Sequence, residues 1–177
     1  MTRHPGDRVL AVLIDWLFMC VWIALVAAVT VPLLLVGAAM HLPPVAENAV
    51  ATLVLVVPIT IALAVLESGP RQATPGKRAR RLIVQDARTG EALPFRRALL
   101  RNALKVALPW IIGHAAVYTL VRASDGTTGT VPSSAQAPLV IAYLLPTVWL
   151  VTLLLGSGRT PYDRISRTVV ARSAPRA

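Results

Sequence analysis

Four long apolar runs constrain this chain more than any other feature. They lie at about residues 9–36, 46–66, 98–121 and 137–155, and roughly 20 apolar residues are what an α-helix needs to cross about 30 Å of hydrocarbon. With no water inside a bilayer, each backbone N–H and C=O must find its partner within the chain, so such runs fold as helices. The first run far exceeds the roughly 7–15 residues of a signal-peptide core and is expected to stay as a span. Composition points the same way. Of 177 residues 55% are hydrophobic and only 15% charged, where soluble domains carry nearer a quarter, and the mean hydropathy is +0.64. The expected fold is an all-α membrane protein, a four-helix transmembrane bundle forming a single domain over residues 1–177.

A basic segment, residues 71–105, sets the direction of the spans. Lys and Arg stay on the cytoplasmic side of membrane proteins. With the N-terminus inside, two cations at the start, ten in this segment and five in the tail all fall in the cytoplasm, and only Arg122 lies opposite. The expectation is a multi-pass protein of the cell membrane with both termini cytoplasmic. The net charge of +10 is not read as a nucleic-acid signal, because the cations flank apolar runs and no groove-reading motif is present. The lipid bilayer and its anionic headgroups are the expected partners, with a homo-oligomer or another membrane protein as further candidates. The cations assigned to face lipid are Lys77, Arg78, Arg80, Arg81, Arg96 and Arg97, each attracted to an anionic surface by about 1 kcal/mol.

Within the cytoplasmic loop, residues 67–97, Arg81-Leu-Ile-Val-Gln-Asp86 followed by the Gly90 turn and Glu91-Ala-Leu-Pro94 predicts a short β-hairpin between helices two and three. Thr74-Pro-Gly-Lys77 lacks the first glycine and the Lys-Ser/Thr pair of a phosphate loop, and Pro75 and Gly76 are read as a tight turn. From Phe95 the spacing is helical, with Arg97, Arg101 and Lys105 along one side. Pro32, Pro58, Pro109 and Pro146 fall within the runs, where each removes a donor and favours a kink.

A carboxylate inside hydrocarbon costs about 2.5–3.5 kcal/mol on insertion scales, so Asp15 must face the bundle interior and meet a partner. Arg8, seven residues earlier, projects from the same helix face. Arg101 and Lys105 are the candidate cations for Asp15, while Asp163, after the fourth run, is placed to pair with Arg8 or with the loop cations and so tie the tail to the first helix, with Arg164 beside it as a further candidate partner of the cluster. No cofactor, metal site or enzymatic centre is expected: Cys20 is the lone cysteine and His114 has no second ligand near it.

Taken together, Arg8-Val-Leu-Ala-Val-Leu-Ile-Asp15, Thr74-Pro-Gly-Lys-Arg78 leading to Leu82-Ile-Val84, Arg97-Ala-Leu-Leu-Arg101 and Tyr162-Asp-Arg-Ile-Ser-Arg-Thr-Val-Val170 resemble the RDD family of bacterial membrane proteins. The resemblance implies that Arg8, Asp15 and Asp163 are the arginine and two aspartates from which the family takes its name. Arg80-Arg81 and Ser166-Arg167 stand where relatives usually carry small residues. For function, the resemblance implies proposals of transport, including cation/proton antiport. Two expectations follow: a structural or interaction protein with a buried Arg/Asp cluster, which is favoured, and a cation/proton transporter or accessory using Asp15.

Overall fold

A computed structural model describes residues 5–38, 42–123, 133–155 and 158–173. The chain is mostly helical. Helix α1 (Pro5–Leu35) opens with proline in its first turn, where the missing donor costs nothing. It closes at Gly37, whose φ of 72° lets the Gly37 N–H bond Leu34 O and the Ala38 N–H bond Leu33 O, the paired bonds of a glycine-terminated helix. Helices α2 (Pro44–Ala51) and α3 (Val57–Ser68) are joined through a π-helical turn at Thr52–Val56. Helix α5 (Phe95–Asn102) likewise runs through a π turn at Ala103–Ala107 into α6 (Leu108–Ala123), and α7 (Ser133–Leu154) packs beside α6. Pro58 and Pro109 each sit two residues beyond a π turn. The widened turn makes room for a ring that would otherwise strike the carbonyl one turn back.

Among the described residues, three helices are long and apolar enough to cross a membrane: Pro5–Leu35, Val45–Ser68 and Gln136–Leu154. The expected run at 98–121 is helical, but it is divided by the π turn and carries Arg96, Arg97, Arg101 and Lys105 in its first turns. Most of the polar linker at residues 122–136 lies outside the described residues.

The strand expected after Arg81 is present as β1 (Leu82–Asp86), but its partner differs from the expected hairpin. It pairs antiparallel with β2 (Thr168–Arg172) from the tail, Val84 opposite Val170, and the hairpin is reduced to one bridge, Gln85 to Ala92. The reason is local. Asp86 accepts the Arg88 and Thr89 N–H groups and turns the chain, but Pro94 then caps α5, so too little extended chain remains to form a ladder.

Short helices α4 (Pro75–Ala79) and α8 (Pro161–Ile165) precede the two strands, each after a Thr-Pro pair. Thr74 and Thr160, Arg81 and Arg167, and Val84 and Val170 are all separated by 86 positions. Arg81 and Arg167 share a left-handed φ of 54° and 53°. The same order of long helix, second helix, Thr-Pro helix, turn and strand therefore occurs twice, and the two strands pair with the equivalent residues Val84 and Val170 opposite one another. Next to this pair lies the apolar core, Ala64, Val84, Leu93 and Ala98, with Leu99 and Val170 against it. Helix α1 buries only Ala11 and Asp15. Its remaining length shows Leu17, Phe18, Leu25 and Val29 outward, as a helix solvated by lipid does.

Candidate functional site

Asp15 is 2% exposed and points from α1 at the start of α4. Its Oδ2 accepts the Thr74 hydroxyl at 2.6 Å and its Oδ1 the Gly76 N–H at 2.8 Å. The first N–H groups of a helix have no partner within it. Asp15 supplies that cap from another helix, in place of the Thr74 side chain, which makes no capping bond of its own. The approach is close enough that a Cβ on Gly76 would lie 2.0 Å from Ala11 O. Asp15 therefore meets a hydroxyl and an amide, and neither Arg101 nor Lys105 is its ion-pair partner. The Thr74-Pro-Gly-Lys77 stretch opens a helix and is not a simple turn.

Arg101 lies at the centre of a second, larger cluster. It is 1% exposed, and its NH1 donates to Glu67 Oε1 and Oε2 at 2.7 and 2.9 Å, while NH2 and Nε donate to Asp163 Oδ1 at 2.8 and 3.0 Å. Asp163 also accepts Arg8 NH2 at 2.7 Å and, within α8, the Thr160 N–H. The second amino group of Arg8 bonds Gly158 O. Glu67 in turn holds Lys77 and the Asn102 amide, and the Tyr162 ring lies 5.2 Å under the Arg101 guanidinium. A continuous ionic chain, Arg8–Asp163–Arg101–Glu67–Lys77, thus crosses from α1 through the tail and α5 to the end of α3 and α4. Burial alone would raise the Asp163 carboxyl, but the charges of Arg101 and Arg8 outweigh it and hold the group below its usual value of 3.8. Burial, the largest influence on Lys77, brings its ammonium down to about 8, with Glu67 opposing.

The remaining basic residues divide. Lys77, expected to face lipid, is buried on Glu67 because a carboxylate waits for it at the end of α3. Arg80 pairs with Asp7, which also takes Arg172, and Arg97 pairs with Asp86 and donates to the Ser166 and Arg167 carbonyls. Arg80 thereby ties the loop to the start of α1, and Arg97 ties loop and tail together. Arg78, Arg81 and Arg96 are exposed. Arg164 is exposed as well and stands outside the cluster, since the short α8 turns Asp163 inward and its neighbour out. His114 stacks on Trp110 at 5.2 Å between centroids.

Glu67 and Asn102, both with no exposure, are central residues that sequence reasoning passed over. Glu67 adjoins Ser-Gly-Pro70 and reads as the end of a span. The available signal was an acid at the same end of the bundle as the basic segment. Arg8, Ala11, Asp15, Lys77, Arg101 and Lys105 surround a cavity of about 20 Å3. Among the described residues no group of three His, Cys, Asp or Glu side chains is placed to hold a metal ion.

Comparison with curated proteins and with solved structures returned no match. The family model described as RDD family matches residues 2–167, an interval that takes in Arg8, Asp15, the Thr-Pro segments and Asp163, and on that match the chain belongs to the RDD family of membrane proteins.

Proposed function

We propose that this protein is a structural or interaction component of the cell membrane, noncatalytic, in which the buried Arg/Asp/Glu cluster locks the helix ends to the basic loop and tail. The observation that carries this reading is Arg101. It is sealed from solvent and donates to Glu67 and Asp163 from elements 34 and 62 residues away. A carrier must exchange partners during its cycle, whereas these groups are matched to one another. Removing one partner of a buried ion pair costs about 3–5 kcal/mol, and removing Asp15 leaves the Thr74 hydroxyl and the Gly76 N–H without their acceptor at about 1–3 kcal/mol, so Arg8→Ala, Asp163→Ala and Asp15→Ala should each lower the melting temperature in detergent. Wild-type melting in all three would remove the reading.

The second reading, a cation/proton transporter or transport accessory, draws support from the place of Asp15 beside Lys77 on the wall of a water-sized cavity. Proteoliposomes under imposed cation and proton gradients separate the two. The structural reading expects no exchange by wild type, while exchange that disappears in Asp15→Asn establishes transport.

The four-crossing arrangement with both termini cytoplasmic belongs to the same proposal. It counts residues 95–123 as a crossing and rests on the distribution of Lys and Arg. A cysteine at Asp125 should then react with an impermeant maleimide from outside the cell, and one at Thr89 should not. The exposed Arg78, Arg81 and Arg96 are the proposed contacts for anionic headgroups, and the lipid-facing helices the proposed surface for self-association or a membrane partner.

A further inference from the structure

Four cations, Arg8, Lys77, Arg101 and Lys105, line a small cavity at which the two halves of the chain meet. Three carboxylates, Asp15, Glu67 and Asp163, belong to the same cluster. Arg8 is taken by Asp163, Arg101 by Asp163 and Glu67, and Lys77 by Glu67. Lys105 is left over: among the described residues its side chain has no hydrogen bond and no ion pair. Asp15, the carboxylate on the same cavity wall, already accepts Thr74 and Gly76.

The internal duplication gives this cation no charged counterpart in the first half. The equivalent of Lys105, 86 positions earlier, is Met19, and the equivalent of Arg101 is Asp15, so charges are exchanged between the halves at one position and unmatched at the other. The carboxylates of Glu67, Asp15 and Asp163 act on Lys105 only at a distance, and an ammonium with none in direct contact at the edge of hydrocarbon is costly. The cavity volume of about 20 Å3 suits one occupant near the size of a water molecule.

We propose that the cavity is an anion site, in which Lys105, with Lys77 beside it, holds one small monovalent anion of halide size between the two halves. This inference is independent of the structural reading, because the site would complete the charge balance of either a scaffold or a carrier. A free halide and a phosphate oxygen of an anionic lipid offer the same chemistry, and they are distinguished by experiment.

The test uses the full chain purified in an uncharged detergent, with melting followed against sodium chloride, sodium bromide and sodium gluconate at equal ionic strength. The expected result is a saturable rise of several degrees with chloride and bromide beyond that with gluconate, and loss of the halide-specific part in Lys105→Met. Chloride-35 line broadening by the wild-type protein, reversed by bromide, reads the same site without any variant. Equal effects of chloride and gluconate on wild type, an unbroadened chloride line, or a Lys105→Met protein that keeps the halide response would overturn the proposal. In nanodiscs, a halide response in phosphatidylcholine that vanishes with phosphatidylglycerol assigns the anion to lipid phosphate. A response that persists in both assigns it to free halide.

Discussion

At the scale of single residues, the arrangement turns on where each carboxylate finds its donors. Gly76 is the tightest point, since any side chain there meets the Ala11 carbonyl and one oxygen of Asp15. Gly76→Ala should therefore separate α4 from α1 and destabilise the protein by about 1–3 kcal/mol, the usual cost of overpacking, with a matching fall in melting temperature. An unchanged midpoint would contradict the contact. Asp163 predicts the acid response. Its folded value lies below its unfolded one, so its stabilisation is complete above the unfolded value and disappears as pH falls through the folded value. The stability difference between wild type and Asp163→Asn should accordingly shrink from about pH 5 to about pH 3; a constant difference would argue against an ionised Asp163. The need to bury Asp15 was readable from the cost of a charge in hydrocarbon, and its burial on the inner face of α1 follows. Its partners were not readable, because a hydroxyl and a backbone amide leave no charge pattern in a sequence, whereas Arg101 and Lys105 do. Glu67 was hidden for a related reason: a carboxylate followed by Ser-Gly-Pro looks like an ordinary helix end.

At the scale of elements, the tail is an integral part of the fold. Strand β2 covers Val84 and Leu82 and brings the Thr168 hydroxyl to Arg101 and Asp163. Ending the chain after Arg167 should expose that apolar surface and give a protein that melts earlier than the full chain or elutes as aggregate in detergent chromatography. Equal behaviour of the truncated and the full chain would show that the strand pairing contributes nothing. The sequence run 82–86 announced a strand by its β-branched and aliphatic residues, yet its pairing partner lay about 86 positions on. A turn at Gly90 made the local hairpin look sufficient. Pro94 ends that possibility by starting α5, and the tail takes the open edge. The π turns were likewise invisible, although Pro58 and Pro109 marked the helices that would have to accommodate a missing donor.

At the scale of the whole molecule, two similar halves are joined where their charges interlock. Between the halves the matches beyond Thr-Pro, Arg, Arg and Val are scattered Leu, Val and Ala pairs that any apolar helix would share, and Asp15 and Lys77 in one stand where Arg101 and Asp163 stand in the other. At these two positions charge is exchanged between the halves, so the residues most specific to the site are not themselves repeated. If this join carries the assembly, a chain broken in the exposed turn at Gly90 into residues 1–90 and 91–177 should reassemble on coexpression, with a tag on the first fragment recovering the second in equal amount. Recovery of the first fragment alone would contradict it.

The most direct test of the central claim, that buried ionic pairing between elements holds this end of the bundle together, is a double-mutant cycle on Arg101 and Glu67. Unfolding free energies would be taken from titration with sodium dodecyl sulfate in mixed micelles. The account predicts that Arg101→Met and Glu67→Met each cost about 3–5 kcal/mol, and that the double variant loses less than their sum by at least about 1.5 kcal/mol. Losses that add to within about 0.5 kcal/mol would mean that the two residues act independently and that the cluster does not hold the fold.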